Sequence, residues 1–154
     1  MRVVIQRVSE ASVTIDGQIY SSIGHGLLVL ASFETADNDQ NIDWMVTKIA
    51  NLRIFSDNGG KMNLSALDVG GEIMVVSQFT LHAATRKGNR PSFVRAAPPA
   101  ISEPLYNCFV SRMSELFAKP VATGIFGARM NVALVNDGPV TIIIDTENLS
   151  TFYG

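Results

Sequence analysis

The sequence predicts an α+β fold: a mainly antiparallel curved sheet or β-barrel flanked by two long helices. Three observations predict it. Apolar runs of strand length recur along most of the chain, several of them joined by turn residues rather than by helices. Only two stretches, beginning near residues 42 and 102, repeat apolar residues at helical spacing. A length of 154 residues, 47% of them apolar, suffices for one domain with a sizeable core. No linker, internal repeat or low-complexity segment interrupts residues 1–154, which are expected to form a single domain.

Val3-Val4-Ile5 starts a first strand. Ala11–Ile15 and Gln18–Ile23 flank Asp16-Gly17, a two-residue hairpin signal. Gly24-His25-Gly26 breaks the chain before Leu27–Phe33, a run apolar on both faces that should be a central strand. Ile42, Met45, Val46, Ile49 and Leu52 make one helical stripe, with Asp37, Asn38 and Asp39 as candidate caps. Arg53-Ile54-Phe55 reads as a short strand, and Ser56–Gly60 as a turn. A further strand spans about Glu72 to Leu81, followed by a loop with Pro91, Pro98 and Pro99. A second helix is expected from near Ser102, with Pro104 in its first turn and Pro120 beyond its end. Its stripe is Leu105, Cys108, Phe109, Met113, Leu116 and Phe117. Three more strands should close the chain. With strands joined by turns, βαβ units are not expected.

Twelve basic and fourteen acidic residues give a net charge of −2, which argues against a protein held to nucleic acid by bulk charge. A local basic stretch remains: residues 73–102 carry Arg86, Lys87, Arg90 and Arg95 and no acid. On residues alone it is either a solvated loop or a set of phosphate contacts. The single cysteine, Cys108, excludes an intrachain disulfide and sits among apolar neighbours, as expected of a buried thiol. No secretory signal and no apolar run of the roughly 18 residues that a spanning helix needs is visible, so a cytoplasmic location is expected.

Conventional catalytic side chains are scarce. Only His25 and His82 could activate a nucleophile; His25 reads as a turn residue between glycines, while His82 lies three residues after Phe79. No Gly-x-Ser-x-Gly elbow, metal-ligand spacing or dinucleotide fingerprint is present. Thr80 is a candidate nucleophile, or else a strand threonine pairing across the sheet.

The most informative segment is Asn136-Asp137-Gly138-Pro139-Val140-Thr141, set between the strand-like runs Met130–Val135 and Val140–Ile144. Proline cannot donate to a ladder, a glycine before it accepts backbone angles that others avoid, and a cis X-Pro bond costs only about 0.5–1 kcal/mol. The residues leave two readings, a hairpin turn or stiff carbonyls presented to a ligand. Four further segments accompany it: Ser77-Gln78-Phe79-Thr80-Leu81, Lys87–Phe93, Thr123–Met130 and Met1–Val8. Together they make the chain resemble the D-aminoacyl-tRNA deacylases from Met1 to about Asp145. The last nine residues, Thr146 to Gly154, carry no recognisable motif.

The resemblance implies a β-barrel flanked by helices and a homodimeric editing esterase without metal or organic cofactor. Its partner is the acceptor end of aminoacyl-tRNA, with no membrane and no DNA. Its reaction frees the D-amino acid from the tRNA, assisted by the terminal ribose 2′-hydroxyl. An ester asks little of the protein, and oriented backbone N–H groups can supply about 10²–10³-fold per donor. Ser77, Gln78 and Phe79 would line the ester through main-chain groups, with Thr80 acting through its hydroxyl or its backbone. Gly138 and Pro139, joined by a cis peptide, would enter the partner's site. There their carbonyls would exclude an L side chain while glycine, having none, would pass. Arg7 would brace that loop, although the residue alone reads as a surface arginine at a strand. Phe126 would pack on the terminal adenine and Met130 would line the pocket, although both could equally be core. Ala84 stands where the family commonly has aspartate, so this loop position offers no acid–base group. Rival functions are an inactive module that binds the tRNA acceptor end, a small-molecule D-amino-acid ester hydrolase, or a purely structural oligomer.

Overall fold

The computed structural model describes residues 1–147; most of the motif-free tail, residues 148–154, lies outside them. Strand β1 (Arg2–Ile15) is one unbroken element rather than two short strands. It is long enough to pair with three others. Its first half runs antiparallel to β3 (Gly26–Ser32), and its second half makes the predicted Asp16-Gly17 hairpin with β2 (Gln18–Ile23). Asp16 and Gly17 both take positive φ, as this turn requires.

β3 is central, as its apolar run predicts. Leu27, Val29 and Ala31 enter one buried cluster with the helices, while Leu28 enters a second inside the curved sheet. Its other neighbour, β6 (Glu72–Ser77), runs parallel to it, and β7 (Ala122–Thr123) runs parallel to β6. Two crossovers therefore exist where the sequence suggested none. One carries α1 (Asp39–Asn51) and the β4–β5 hairpin (Phe55–Ser56, Met62–Leu64); the other carries α2 (Pro99–Phe117). Parallel neighbours demand such connections, and a helix is the usual way to cover the sheet face. The path β2-β1-β3-β6-β7 curls until Ser21 Oγ of β2 donates to the Thr123 carbonyl of β7 at 2.5 Å, nearly closing a barrel.

α1 begins as predicted. The Asn38 side chain accepts from the backbone of Gln40 and Asn41 in a capping box, and Ile42, Met45, Val46 and Ile49 are buried. α2 differs. It starts at Pro99, three residues earlier than expected, so Pro104 lies inside it rather than in its first turn. Its buried face is Ser102, Tyr106, Phe109 and Met113; Leu116 is exposed and Cys108 only half-buried. The helix ends at Ala118 in the left-handed conformation, before Pro120 acts. Partial burial still raises the Cys108 thiol's pKa, which keeps it a thiol.

Two other expectations change. The strand expected to reach Leu81 stops at Ser77, and Phe79–His82 form a 3-10 turn. The closing strands are β7 and one long strand, β8 (Asn131–Asp145), both halves of which pair with β1. Gly138-Pro139 is thus no hairpin turn. Gln6 lies opposite Thr141 and Val8 opposite Asn136, so residues 137–140 bulge out against the single residue Arg7.

Candidate active site

β3 and β6 are parallel and end together, at Ser32 and Ser77, and the chains leaving them diverge. Such a divergence at strand carboxyl ends opens a crevice. Here it is a cleft of about 550 Å³, walled by Ala31–Phe33, Val76–Phe79, the Phe93–Pro99 segment and the Phe126–Val132 segment. Gln78 N donates to the Ala31 carbonyl at 2.8 Å and turns the chain into the 3-10 segment. Of the sequence candidates, Ser77, Gln78, Phe79, Phe126 and Met130 meet in this cleft.

Phe79 is 57% exposed at the cleft, edge-on to Phe93 with ring centroids 5.2 Å apart. Phe126 is half-buried, with one side tilted against Tyr106 at 5.8 Å and the other lining the cleft. Tyr106 is itself fixed because its hydroxyl donates to the Val75 carbonyl at 2.9 Å. Met130 packs on Gly124, where an added Cβ would come within 2.2 Å of its sulfur. The Thr80 hydroxyl accepts from the Gln78 side-chain amide at 2.6 Å, and among the described residues no carboxylate or imidazole hydrogen-bonds to it. His82 does not line the cleft; it is 1% exposed and held by Ser32.

Arg7 is not the surface arginine that its position suggests. It is 9% exposed and donates from Nη1 to the Ile54 carbonyl at 2.5 Å and from Nε to the Asp137 carbonyl at 2.9 Å. The same guanidinium lies 3.5 Å from the Asp137 carboxylate. The Gly138-Pro139 peptide that follows is cis, and both residues are exposed. At Gly138, with φ +132°, an added Cβ would lie 3.0 Å from Arg7 Nη2 and from Val140 N. His25 stacks edge-on to Phe55 and lies 3.5 Å from Asp137, a structural position consistent with its turn.

The bulge and the cleft do not meet within one chain. On β3, Leu27 lies opposite Arg7 and Ala31 opposite Ser77. The four-residue step between them spans about 13 Å of strand at ~3.3 Å per residue. Among the described residues β8 pairs with no strand but β1, and Leu134, Val135 and Ile143 stand exposed on it.

The basic residues divide. Ala84 and Ser92 pair as an isolated bridge, so Arg86, Lys87 and Arg90 stand at the exposed tip of a short excursion. None of the three makes an ion pair among the described residues. Arg95 instead bridges Glu34 and Glu147, two carboxylates that raise its pKa.

Sequence reasoning misses Ser32, Phe93 and Tyr106. Phe93 ends a motif segment, but nothing in that string gives the ring a role. Ser32 lies inside the run Leu27–Phe33 with nothing to mark it, and Tyr106 falls one residue off the stripe read for α2.

The fold and cleft together define a small α+β protein whose cleft is lined by aromatic, small and uncharged polar residues, with no titratable side chain among them. The chain belongs to the D-Tyr-tRNA(Tyr) deacylase family, whose model matches residues 4–145. Proteins named D-aminoacyl-tRNA deacylase from Bacteroides thetaiotaomicron and Flavobacterium psychrophilum are each 59% identical over 148 residues, 96% of this chain and 99% of theirs. A solved structure described as c-Myc DNA Unwinding Element Binding Protein superposes with TM-score 0.91 at 42% identity, covering 95% of this chain and 99% of that one. Another, described as a probable eukaryotic D-amino acid tRNA deacylase, shares the fold at TM-score 0.81 and 17% identity, covering 93% of this chain and 97% of that one.

Proposed function

We propose that this chain is a D-aminoacyl-tRNA deacylase that works as a two-fold dimer, each site combining the cleft of one protomer with the Gly138-Pro139 bulge of the other. The hydrolase activity rests on family membership and on near-full-length relatives bearing that name. The shared site rests on one observation: the bulge and the cleft stand about 13 Å apart along the sheet of one chain, so one protomer's bulge serves another's cleft. The apolar side chains exposed on β8 favour a covering partner, because an open edge strand invites pairing.

In this reading the aminoacyl ester enters between Phe79 and Phe126, with the terminal adenine on Phe126 and Met130 beside it. The backbone N–H of Phe79 faces the oxyanion that develops as water attacks, that of Gln78 being held by the Ala31 carbonyl. The substrate's 2′-hydroxyl assists, and Thr80, whose hydroxyl is already engaged by Gln78, positions rather than attacks. The carbonyls of Gly138 and Pro139, braced by Arg7, occupy the space of an L side chain and accept from the α-amino group. D-aminoacyl and glycyl esters pass. Arg86, Lys87 and Arg90 contact acceptor-stem phosphates, whereas Arg95 has its charge balanced within the chain. No cofactor is required, and the protein acts in the cytoplasm as a single-domain unit.

The test is subunit complementation. A variant broken at the bulge (Gly138→Val) and one broken at the cleft (Phe79→Ala, Gln78→Ala) are each assayed on D-Tyr-tRNA and L-Tyr-tRNA, then unfolded together and refolded. In a random mixture half the dimers are mixed, and each of these holds one intact site. Recovery to about one quarter of wild-type activity is therefore expected. No recovery from refolded mixed dimers would refute the shared site. Wild-type protein inert on D-Tyr-tRNA but active on a free D-tyrosine ester would refute the substrate.

A further inference from the structure

The cleft has a polar underside that no motif describes. The Ser32 hydroxyl lies 2.6 Å from His82 Nδ1 and 3.3 Å from the Phe79 carbonyl. Behind the ring, His82 Nε2 faces Glu34 Oε2 at 3.5 Å and makes no hydrogen bond. Ser32 and His82 are 2% and 1% exposed. His82 closes the same turn that carries Phe79 and Thr80. That turn is suspended from β3 by Gln78 N on the Ala31 carbonyl and by the Ser32–His82 contact. On its far side, Arg2 of β1 donates to the Leu81 carbonyl at 2.6 Å.

We propose that Ser32 and His82 are positioning residues of this site: His82, accepting the Ser32 hydroxyl through Nδ1, clamps the Phe79–His82 turn to β3 and so sets where Phe79 stands in the cleft and where Thr80 is held beside it. This assignment presupposes that the cleft hydrolyses D-aminoacyl-tRNA, as proposed above. The direction of the bonds follows from proton counting. Ser32 has one hydroxyl hydrogen and two acceptors in reach. The Glu34 carboxylate favours a hydrogen on Nε2, which leaves the Nδ1 lone pair turned to Ser32. The 2.6 Å contact then takes the hydrogen in preference to the 3.3 Å one.

Protonation reverses the arrangement. Imidazolium carries a hydrogen on Nδ1, so it donates to Ser32 Oγ, and the hydroxyl turns to the Phe79 carbonyl. The Phe79 carbonyl is therefore bonded differently in the two charge states. Burial holds the His82 pKa below its ordinary value; Glu34 works against that, while Arg2, the amine of Met1 and Arg95 reinforce it. Neutral pH therefore finds the ring uncharged, with the clamp in the first arrangement.

The experiment measures kcat and KM for D-Tyr-tRNA deacylation from about pH 5 to pH 8, spanning the ordinary range of histidine. It uses wild type, Ser32→Ala, His82→Asn and His82→Phe, with thermal melts run at each pH. Wild type is expected to lose kcat on an acid limb below pH 6.5. His82→Asn, whose side-chain oxygen accepts from Ser32 but does not titrate, should keep activity within about threefold and lose the limb. Ser32→Ala and His82→Phe should lower kcat about tenfold or more while folded, with KM moving less, since a displaced site of this kind costs up to about 10². A folded Ser32→Ala with kcat within twofold of wild type would overturn the assignment, as would an unchanged acid limb in His82→Asn. Should His82→Asn not fold, Ser32→Ala decides alone, because losing one hydroxyl scarcely alters packing. Wild type inactive at every pH would refute the substrate reading instead.

Discussion

Arg7 offers the most direct check on how the bulge is held. Its buried guanidinium reaches two carbonyls far apart in the chain, Ile54 and Asp137, and the second belongs to the residue preceding Gly138. A hydrogen bond from a charged donor contributes about 1.5–3 kcal/mol. Arg7→Lys keeps the charge but has a single point donor that cannot span both carbonyls, so it should cost about 1.5–3 kcal/mol. Arg7→Ala removes both bonds. The Asp137 side is half-exposed and can be rehydrated, and its ion pair at 3.5 Å adds little. The cost of the alanine variant is therefore about 3–5 kcal/mol rather than the full sum. For a chain of this length that lowers the Tm by roughly 10 °C. Activity should fall further than stability alone explains. Assayed at least 15 °C below its own melting point, Arg7→Lys should deacylate D-Tyr-tRNA about tenfold more slowly, because a loosely held site loses rate steeply with small displacements. Melting is followed by circular dichroism, and deacylation by release of labelled tyrosine under single turnover. If Arg7→Lys melts and turns over like wild type, the guanidinium fork does not brace the bulge and the reasoning fails.

Further outcomes follow from other parts of the site. Thr80→Ala should retain activity within about tenfold, far from the 10⁴-fold loss typical of a removed nucleophile, as single-turnover kinetics would reveal. Gly124→Ala places a Cβ 2.2 Å from the Met130 sulfur and should push that side chain into the cleft, raising KM for D-Tyr-tRNA with little change in Tm. Replacing Lys87 and Arg90 by Gln should flatten the dependence of log KM on log salt by about one unit for each phosphate no longer neutralised; an unchanged slope would return that loop to the solvent. Because the folded His82 pKa lies below 6.5, the unfolded chain binds the extra proton between the two values. Stability from this group is complete above pH 6.5 and is lost as pH falls through the folded pKa, so urea melts of His82→Phe should show a shallower acid decline than wild type.

Much of the local structure could be read directly from neighbours in the chain. The seven-residue strand Gly26–Ser32 is buried on both faces because its residues are apolar on both faces. Asn38 caps α1 because its side chain reaches the first turn whatever the rest of the fold does. The Asp16-Gly17 hairpin needs only two residues with positive φ. The Ser77–Thr80 and Gly138-Pro139 motifs were equally visible as short strings. What they touch was not. The sequence by itself determined the Asp16-Gly17 hairpin, the start of α1, the double-sided burial of β3 and the family, all carried by residues within a few positions of one another.

Tertiary structure alone decided that β3 and β6 run parallel and open a cleft where they end. It also decided that Gly138-Pro139 interrupts a single strand opposite a buried Arg7, and that none of residues 137–140 lines the cleft of its own chain. It cancelled Arg95 against Glu34 and Glu147 and tied Ser32 to His82 across 50 positions. These are pairings between distant residues, chosen by which faces the whole chain buries together. Periodicity and capping are fixed by adjacent side chains and leave those partners unspecified.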